Sequence, residues 1–260
     1  MSQAFADHFS KLAPRYHNRP QYPEDLFQHL AHVAPGRTRA WDAGTGGGQA
    51  AVRLAEYFDE VIATDASEKQ IRSARLHPRV QYRVALSEQS SLPDQSFDLV
   101  TAAQALHWFR LEEFYREVRR VLKPRGIMAV WCYGLESVDE KVDRVTHKLH
   151  DDMLGPYWPK RTIEDHTYGE LMLPFEELPR QTFRMEMTWT MMQFLESFRT
   201  WSAALFYKED HGVDPLDLLE PEFTAAWGDP AQPRRVTWPV YVRCAIMDGG
   251  VSGNGAPKQR

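Results

Sequence analysis

The residues best suited to chemistry in this chain form one short run, Asp42-Ala43-Gly44-Thr45-Gly46-Gly47-Gly48. It follows an apolar segment ending at Trp41 and precedes apolar positions Ala51, Leu54, Ala55 and Phe58 at helical spacing. A glycine loop that opens a helix lets backbone approach a ligand closely, and the free N–H groups of the first helical turn then point at it. The chemistry is therefore that of a nucleotide-type cradle. A Walker loop needs Gly-Lys-Ser/Thr at its end, whereas this loop runs Gly48-Gln49-Ala50, which excludes an NTPase. The dinucleotide fingerprint needs a glycine where Gln49 stands. What remains is Asp-x-Gly-x-Gly-x-Gly, whose acid, Asp42, opposes a pyrophosphate and suits a ligand carrying positive charge.

A second carboxylate ends the β-rich run Glu60-Val61-Ile62-Ala63-Thr64-Asp65, where a neighbouring parallel strand would deliver an acid to a ribose. Asp65 can accept from both ribose hydroxyls; its structural alternative is to cap a helix from Ser67 onward. His107 follows the fourth predicted strand, at the carboxyl edge of the sheet where open α/β folds bind ligands, and is the first candidate for a base. The alternative is a histidine that only roofs the ligand or bonds a loop carbonyl. Trp108 and Trp131 are expected at strand ends and, with Tyr133, are candidate pocket residues. Cys132 reads as a small buried hydrophobe.

Helices are predicted over 23–33, 48–58, 67–76 and 111–122, and strands over 38–41, 61–64, 80–84, 97–102 and 127–131. This alternation defines an α/β chain with a doubly wound parallel sheet. Lys123-Pro124 and Gly126 stop the last of these helices before the fifth strand. Pattern breaks over 135–180, a stretch rich in Trp, Tyr, Pro and His that reads as an insertion. Strand character returns over 181–190 and 235–247, flanking helical stretches over 191–207 and 215–227. The division expected is a flap and first helix (1–35), a ligand-binding core (36–134), an inserted substrate cover (135–180), strands and helices completing the core (181–248) and a glycine-rich disordered tail (249–260).

The chain has 260 residues, 43% of them hydrophobic, which is enough for one large domain or a core with a lid. Its net charge of −5, with Lys and Arg scattered among acids, argues against a nucleic-acid face. Two cysteines make neither a disulfide framework nor a multi-cysteine zinc site, so no metal is expected. With no apolar stretch of membrane length, the expected place is the cytoplasm.

Four segments in order carry a family resemblance. The loop at Asp42 resembles motif I of class I S-adenosylmethionine methyltransferases. Phe97-Asp98-Leu99-Val100-Thr101-Ala102-Ala103-Gln104-Ala105-Leu106-His107-Trp108-Phe109 is similar to the fourth-strand segment of the type 11 and trans-aconitate methyltransferase group. Glu88-Gln89-Ser90-Ser91-Leu92-Pro93 resembles the same group's acid-x-x-x-Leu-Pro element, and Phe9 to Pro23, with Tyr16 and Arg19-Pro20, resembles its aromatic flap. The resemblance implies a Rossmann-like, seven-stranded, mostly parallel sheet with helices on both faces and a helical lid insertion, and S-adenosylmethionine as cofactor. It implies that Asp42, Gly44, Thr45 and Gly46 line the methionine half, that Asp65 and Ala66 hold the ribose, that Glu88 and the backbone of Gln89 read the adenine edge, and that Gln104 and Ala105 flank the sulfonium. Arg19 would pair with the cofactor carboxylate and Tyr16 close over it, while Arg161 in the insertion would face substrate.

The element that grips a planar amino group for N-methylation is absent after strand four, as is a cysteine for cytosine chemistry. A small-molecule acceptor methylated on oxygen, such as a carboxylate, is the expected substrate. Two other readings stay open from sequence: a non-catalytic sensor or assembly protein that binds S-adenosylmethionine, and an NAD-dependent oxidoreductase.

Overall fold

The structure, a computed structural model, describes residues 20–158 and 168–248. Tyr16, Arg19 and the rest of the flap up to it, Arg161, and the tail over 249–260 lie outside the described residues.

The chain opens with α1 (Glu24–Val33), β1 (Arg39–Ala43), α2 (Gln49–Leu54), β2 (Glu60–Asp65), α3 (Glu68–Arg72), β3 (Val80–Val84) and β4 (Phe97–Ala103). A single 3-10 turn, Leu106–Trp108, leads to α4 (Leu111–Val121), which runs directly into β5 (Leu122–Tyr133). Then come α5 (Glu140–His147), β6 (Glu176–Glu177), β7 (Gln181–Trp189), α6 (Met191–Phe198), α7 (Ser202–His211), α8 (Pro215–Trp227) and β8 (Arg234–Ile246).

Strands lie in the order β3-β2-β1-β4-β5-β8, with β6 and β7 both on the outer edge of β8. The first five are parallel, and β8 enters antiparallel to β5. β6 and β7 occupy successive stretches of one lane, since Glu176 faces Ile246, Glu177 faces Ala245 and Gln181 faces Val242. Eight segments therefore fill the seven positions expected. Pro179 separates the two segments, because it has no N–H to give a ladder.

Strand alternation divides the interior into two cores. On one face Ala40, Leu99, Ala129, Trp131 and Val240 meet α1, α2 and the helices after β5, including Leu26, Phe27, Leu54, Phe194, Phe198 and Phe223. On the other, Trp41, Val100, Ala102, Val130 and Cys132 meet Phe114, Val118 and Val121 of α4. Asp42 shares the parity of Ala40, so its carboxylate points into the first core, beside Thr101 at the register position opposite it on β4.

Two differences from the sequence reading have local causes. β1 extends two residues past Trp41, since Asp42 and Ala43 pair with Ala63 and Thr64. The helix expected over 191–207 breaks after Phe198, where the Phe198 and Trp201 rings pack 4.6 Å apart and the chain turns so that Trp201 meets Trp158. The 135–180 stretch, expected as an insertion forming a helical lid, contains α5, whose first turn is capped by Asp139 accepting from the N–H groups of Lys141 and Val142. α5 continues through a wider turn, Lys148–Met153, and Val142 and Leu149 join the first core.

Glu136 sits between these layers. It follows β5 and is only 6% exposed, with Trp238 of β8 and Ser197 of α6 beside its carboxylate, the Ser197 hydroxyl itself donating to Phe194 O at 2.6 Å. Burial pushes its carboxyl up to about 8, with Asp143 adding repulsion. Cys132 and Cys244 are buried on adjacent strands and form no disulfide. No helix of the described residues is long and apolar enough to cross a membrane.

Candidate active site

The glycine loop leaves the carboxyl end of β1 between β2 and β4. Gly44, Gly46 and Gly48 all have left-handed backbones, with φ of 70°, 53° and 78°. They differ in what surrounds them. A Cβ on Gly44 would lie 2.7 Å from Cβ of Ala105 and 2.9 Å from Cζ of Phe109, so that glycine allows the loop to pack on the segment after β4. At Gly48 the hydroxyl of Tyr82 closes the space. At Gly46 and Gly47 a Cβ would meet no atom of the described residues within 4 Å, so bare backbone borders a space there.

Two carboxylates shape that loop. Asp42 has no exposed surface; Oδ2 accepts from the Thr45 hydroxyl at 2.6 Å and Oδ1 from the Thr101 hydroxyl at 2.8 Å. Burial pushes its carboxyl up to about 6, against the pull of those two hydroxyls. Asp42 was expected to face a cationic ligand. In the structure it lies beneath the loop and holds it to β4, because its position in β1 points it inward. Asp65 stands at the rim, where Oδ2 accepts from Gly46 N–H at 2.9 Å and Oδ1 from Ser67 N–H at 2.8 Å. The cap of α3 is Ser67 itself, whose hydroxyl accepts from Gln70 N–H. Burial raises the Asp65 carboxyl as well.

Glu88 lies on the loop after β3. Its Oε1 accepts from Arg110 N–H at 3.0 Å, and its Oε2 is buried with no hydrogen-bond partner among the described residues. A buried acceptor left unpaired costs about 1–3 kcal/mol, a penalty that a bound donor would remove. The loop is pinned one residue beyond Gln89, where Glu117 of α4 accepts from the N–H and hydroxyl of Ser90.

The segment after β4 supplies the remaining edge. Gln104 has a left-handed backbone, φ 52°, fixed by its N–H donating to Trp131 O at 2.9 Å, and its side-chain amide reaches Tyr133 O at 3.4 Å. Ala105 is buried, and its carbonyl accepts from Trp108 N–H as the 3-10 turn begins. His107 is 5% exposed, its ring 4.8 Å from that of Trp108, and its Nδ1 lies 2.9 Å from the Tyr168 hydroxyl. Trp131 is fully enclosed, edge-on to Tyr22 and Phe27, and its Nε1 has no hydrogen-bond partner. It therefore backs Tyr22 in the core, where an open pocket wall was expected. Tyr133, one side-chain step along, stays partly exposed.

Of the residues anticipated from sequence, Asp42, Gly44, Thr45, Gly46, Asp65 and Ala66 converge on the ends of β1 and β2, Glu88 and Gln89 on the loop after β3, and Gln104, Ala105, His107 and Trp108 on the turn after β4. Thr101, Tyr82 and Tyr168 were not anticipated. Thr101 carried a signal, since it falls on the Asp42 side of β4 at a register position opposite it. Tyr168 carried none, being 61 residues from its partner.

A parallel sheet closed by one antiparallel strand, with a glycine loop and two acids at adjoining strand ends, defines a Rossmann-like methyltransferase architecture. A methyltransferase domain family matches residues 41–130. A methyltransferase of Dictyostelium discoideum is 33% identical over 248 residues, covering 92% of this chain and 94% of the relative. The S-adenosylmethionine-dependent methyltransferase CRG1 of Saccharomyces cerevisiae is 34% identical over 128 residues, 45% of this chain and 44% of that protein. A solved type II methyltransferase from Anaeromyxobacter dehalogenans superposes with a TM-score of 0.84 at 43% identity, covering 89% of this chain and 99% of that one. The chain belongs to the class I S-adenosylmethionine-dependent methyltransferases.

The residues present fit that cofactor. The open backbone at Gly46 and Gly47 leaves room for a ligand, and the unpaired Glu88 Oε2 awaits a donor such as an exocyclic amine.

Proposed function

We propose that this methyltransferase acts on a small molecule and methylates an oxygen nucleophile, most simply a carboxylate. When bound, S-adenosylmethionine supplies an electrophilic methyl group on a sulfonium. The chain's own residues then have three tasks: to hold the cofactor, to align the acceptor and to exclude water. Gly44, Thr45 and Gly46 would border the methionine half, with Asp42 setting the shape of the loop from below. Asp65 and Ala66 would hold the ribose, Glu88 and Gln89 the adenine edge, and Gln104 and Ala105 the surroundings of the sulfonium. Tyr16 and Arg19 would act from the flap, and Arg161 toward the acceptor.

The observation that carries the small-molecule reading is the enclosure of the transfer edge. Ala105 and His107 are each 5% exposed and Tyr22 is 8% exposed, with Gln104 and Trp108 partly exposed, so among the described residues the turn after β4 presents a narrow edge that suits a small acceptor. Oxygen is favoured over a planar amine because Gln104 commits its amide to the Tyr133 carbonyl, and the residues around it are alanines. A carboxylate is already ionised at neutral pH and needs no base. His107 then walls the acceptor; with a hydroxyl acceptor its imidazole would take the proton.

A panel of carboxylic acids, including trans-aconitate and related diacids, is expected to give methyl esters with matching S-adenosylhomocysteine release. Turnover confined to amines or hydroxyls would overturn the carboxylate reading. Binding of S-adenosylmethionine with no turnover on any acceptor would favour a sensor.

Glu88→Ala is expected to weaken S-adenosylhomocysteine binding about tenfold in calorimetry, the loss of one charge-assisted hydrogen bond. Unchanged affinity would remove Glu88 from the adenine contact.

A further inference from the structure

We propose that Tyr168 is a positioning residue that fixes the imidazole of His107, and that the buried Arg243, paired with the partly exposed Glu177, holds Tyr168 in the conformation this requires. The proposal deepens the reading of His107 as a transfer-edge residue and rests on it for its catalytic consequence.

The contact itself is short and enclosed. Tyr168 Oη lies 2.9 Å from His107 Nδ1, and the two residues are 1% and 5% exposed. An imidazole bonded through one nitrogen cannot turn about χ2 without losing that bond, so the direction of Nε2 is set as well. Tyr168 also bears on the proton's location. As acceptor from Nδ1–H it leaves Nε2 able to accept a proton; as donor to Nδ1 it makes Nε2 a donor.

Tyr168 does not reach this position by default. Its backbone is left-handed, φ 55°, which costs a residue with a Cβ about 1–2 kcal/mol. Its carbonyl accepts from Arg243 Nη1, while Nε and Nη2 of the same guanidinium each donate to Glu177 at 2.6 Å. Arg243 is 3% exposed, so it is a fork held in the interior between a carboxylate and one peptide carbonyl. Removing a partner from such a pair strands a buried charge, which makes the clamp rigid. Arg243 lies on β8 beside Val130 of β5, so the sheet anchors Tyr168, and Tyr168 in turn aims His107 at the end of β4. Nothing in this chain of contacts is needed merely to fill the second core, where phenylalanine would serve.

Tyr168→Phe removes only the hydroxyl. With 15N-labelled histidine and His107 assigned through His107→Gln, long-range NMR correlations are expected to show one tautomer in the parent protein. In Tyr168→Phe they should show a mixture, with kcat reduced about tenfold at unchanged KM for S-adenosylmethionine. Arg243→Lys keeps the charge but loses the fork, and is expected to move the same His107 signals in the same direction. Parental His107 signals in Tyr168→Phe would overturn the proposal. A changed tautomer with an unchanged rate would uphold the positioning and overturn the catalytic role of His107.

Discussion

Gly46→Leu is expected to weaken S-adenosylhomocysteine binding by at least about 100-fold in calorimetry, equivalent to about 3 kcal/mol. The reason is spatial. Gly46 has no atom of the described residues within 4 Å of where a Cβ would stand, and it is the glycine whose N–H is held by Asp65, so a leucine there projects into the space beside Asp65. Its backbone, φ 53°, also disfavours a side chain, which calls for a control. Gly46→Ala carries the same left-handed penalty, about 1–2 kcal/mol, with little of the bulk. Both variants should melt slightly below the parent protein, yet only leucine should abolish binding. Equal loss in both would assign the effect to strain, and retained binding in leucine would place the cofactor elsewhere.

The second large effect concerns stability against pH. Glu136 has its carboxyl pushed up to about 8 by burial, whereas in the unfolded chain it titrates near the usual 4.5. Between those values the folded state keeps a proton that the unfolded state releases, so folding is progressively disfavoured as pH rises from about 5 to about 8. Below that window both states are protonated and the group imposes no pH-dependent cost. Above it the folded protein carries a charge among Trp238, Ser197 and the apolar helices, a penalty of about 5 kcal/mol. Glu136→Gln stays neutral throughout and retains an oxygen to accept from the Trp238 indole beside it. Its melting temperature should exceed the parent's by about 10 °C at pH 9 and approach it at pH 5. Parallel curves of melting temperature against pH would show that Glu136 titrates normally.

Much of the scaffold was readable in the residues because its signals are local. The strand over 80–84 and the helix over 215–227 have the expected bounds, since periodicity and flanking Gly, Pro and Asp mark them. The glycine loop was equally plain, as left-handed backbone has few substitutes for glycine. The precise work of each site residue was less plain. The spacing of Asp42 identified its loop, but its role under that loop depends on Thr101, which a parallel strand brings to it. The enclosure of Trp131 follows from Tyr22 and Phe27 closing on it, a fact of packing that no repeat in the sequence announces. Glu136, Tyr168 and Arg243 escaped notice for the same reason: their partners lie in distant elements.

The placement of β8 bears on how the molecule is assembled. This strand pairs with β5 on one side and with β6 and β7 on the other, yet it is made after all three. On the ribosome, the flank of β5 and the whole of β7 must wait with open hydrogen-bonding edges until their shared neighbour emerges. Such edges invite pairing with other chains. The nascent polypeptide thus passes through an adhesive interval, shortened by whatever slows aggregation and ended by the insertion of a single late strand.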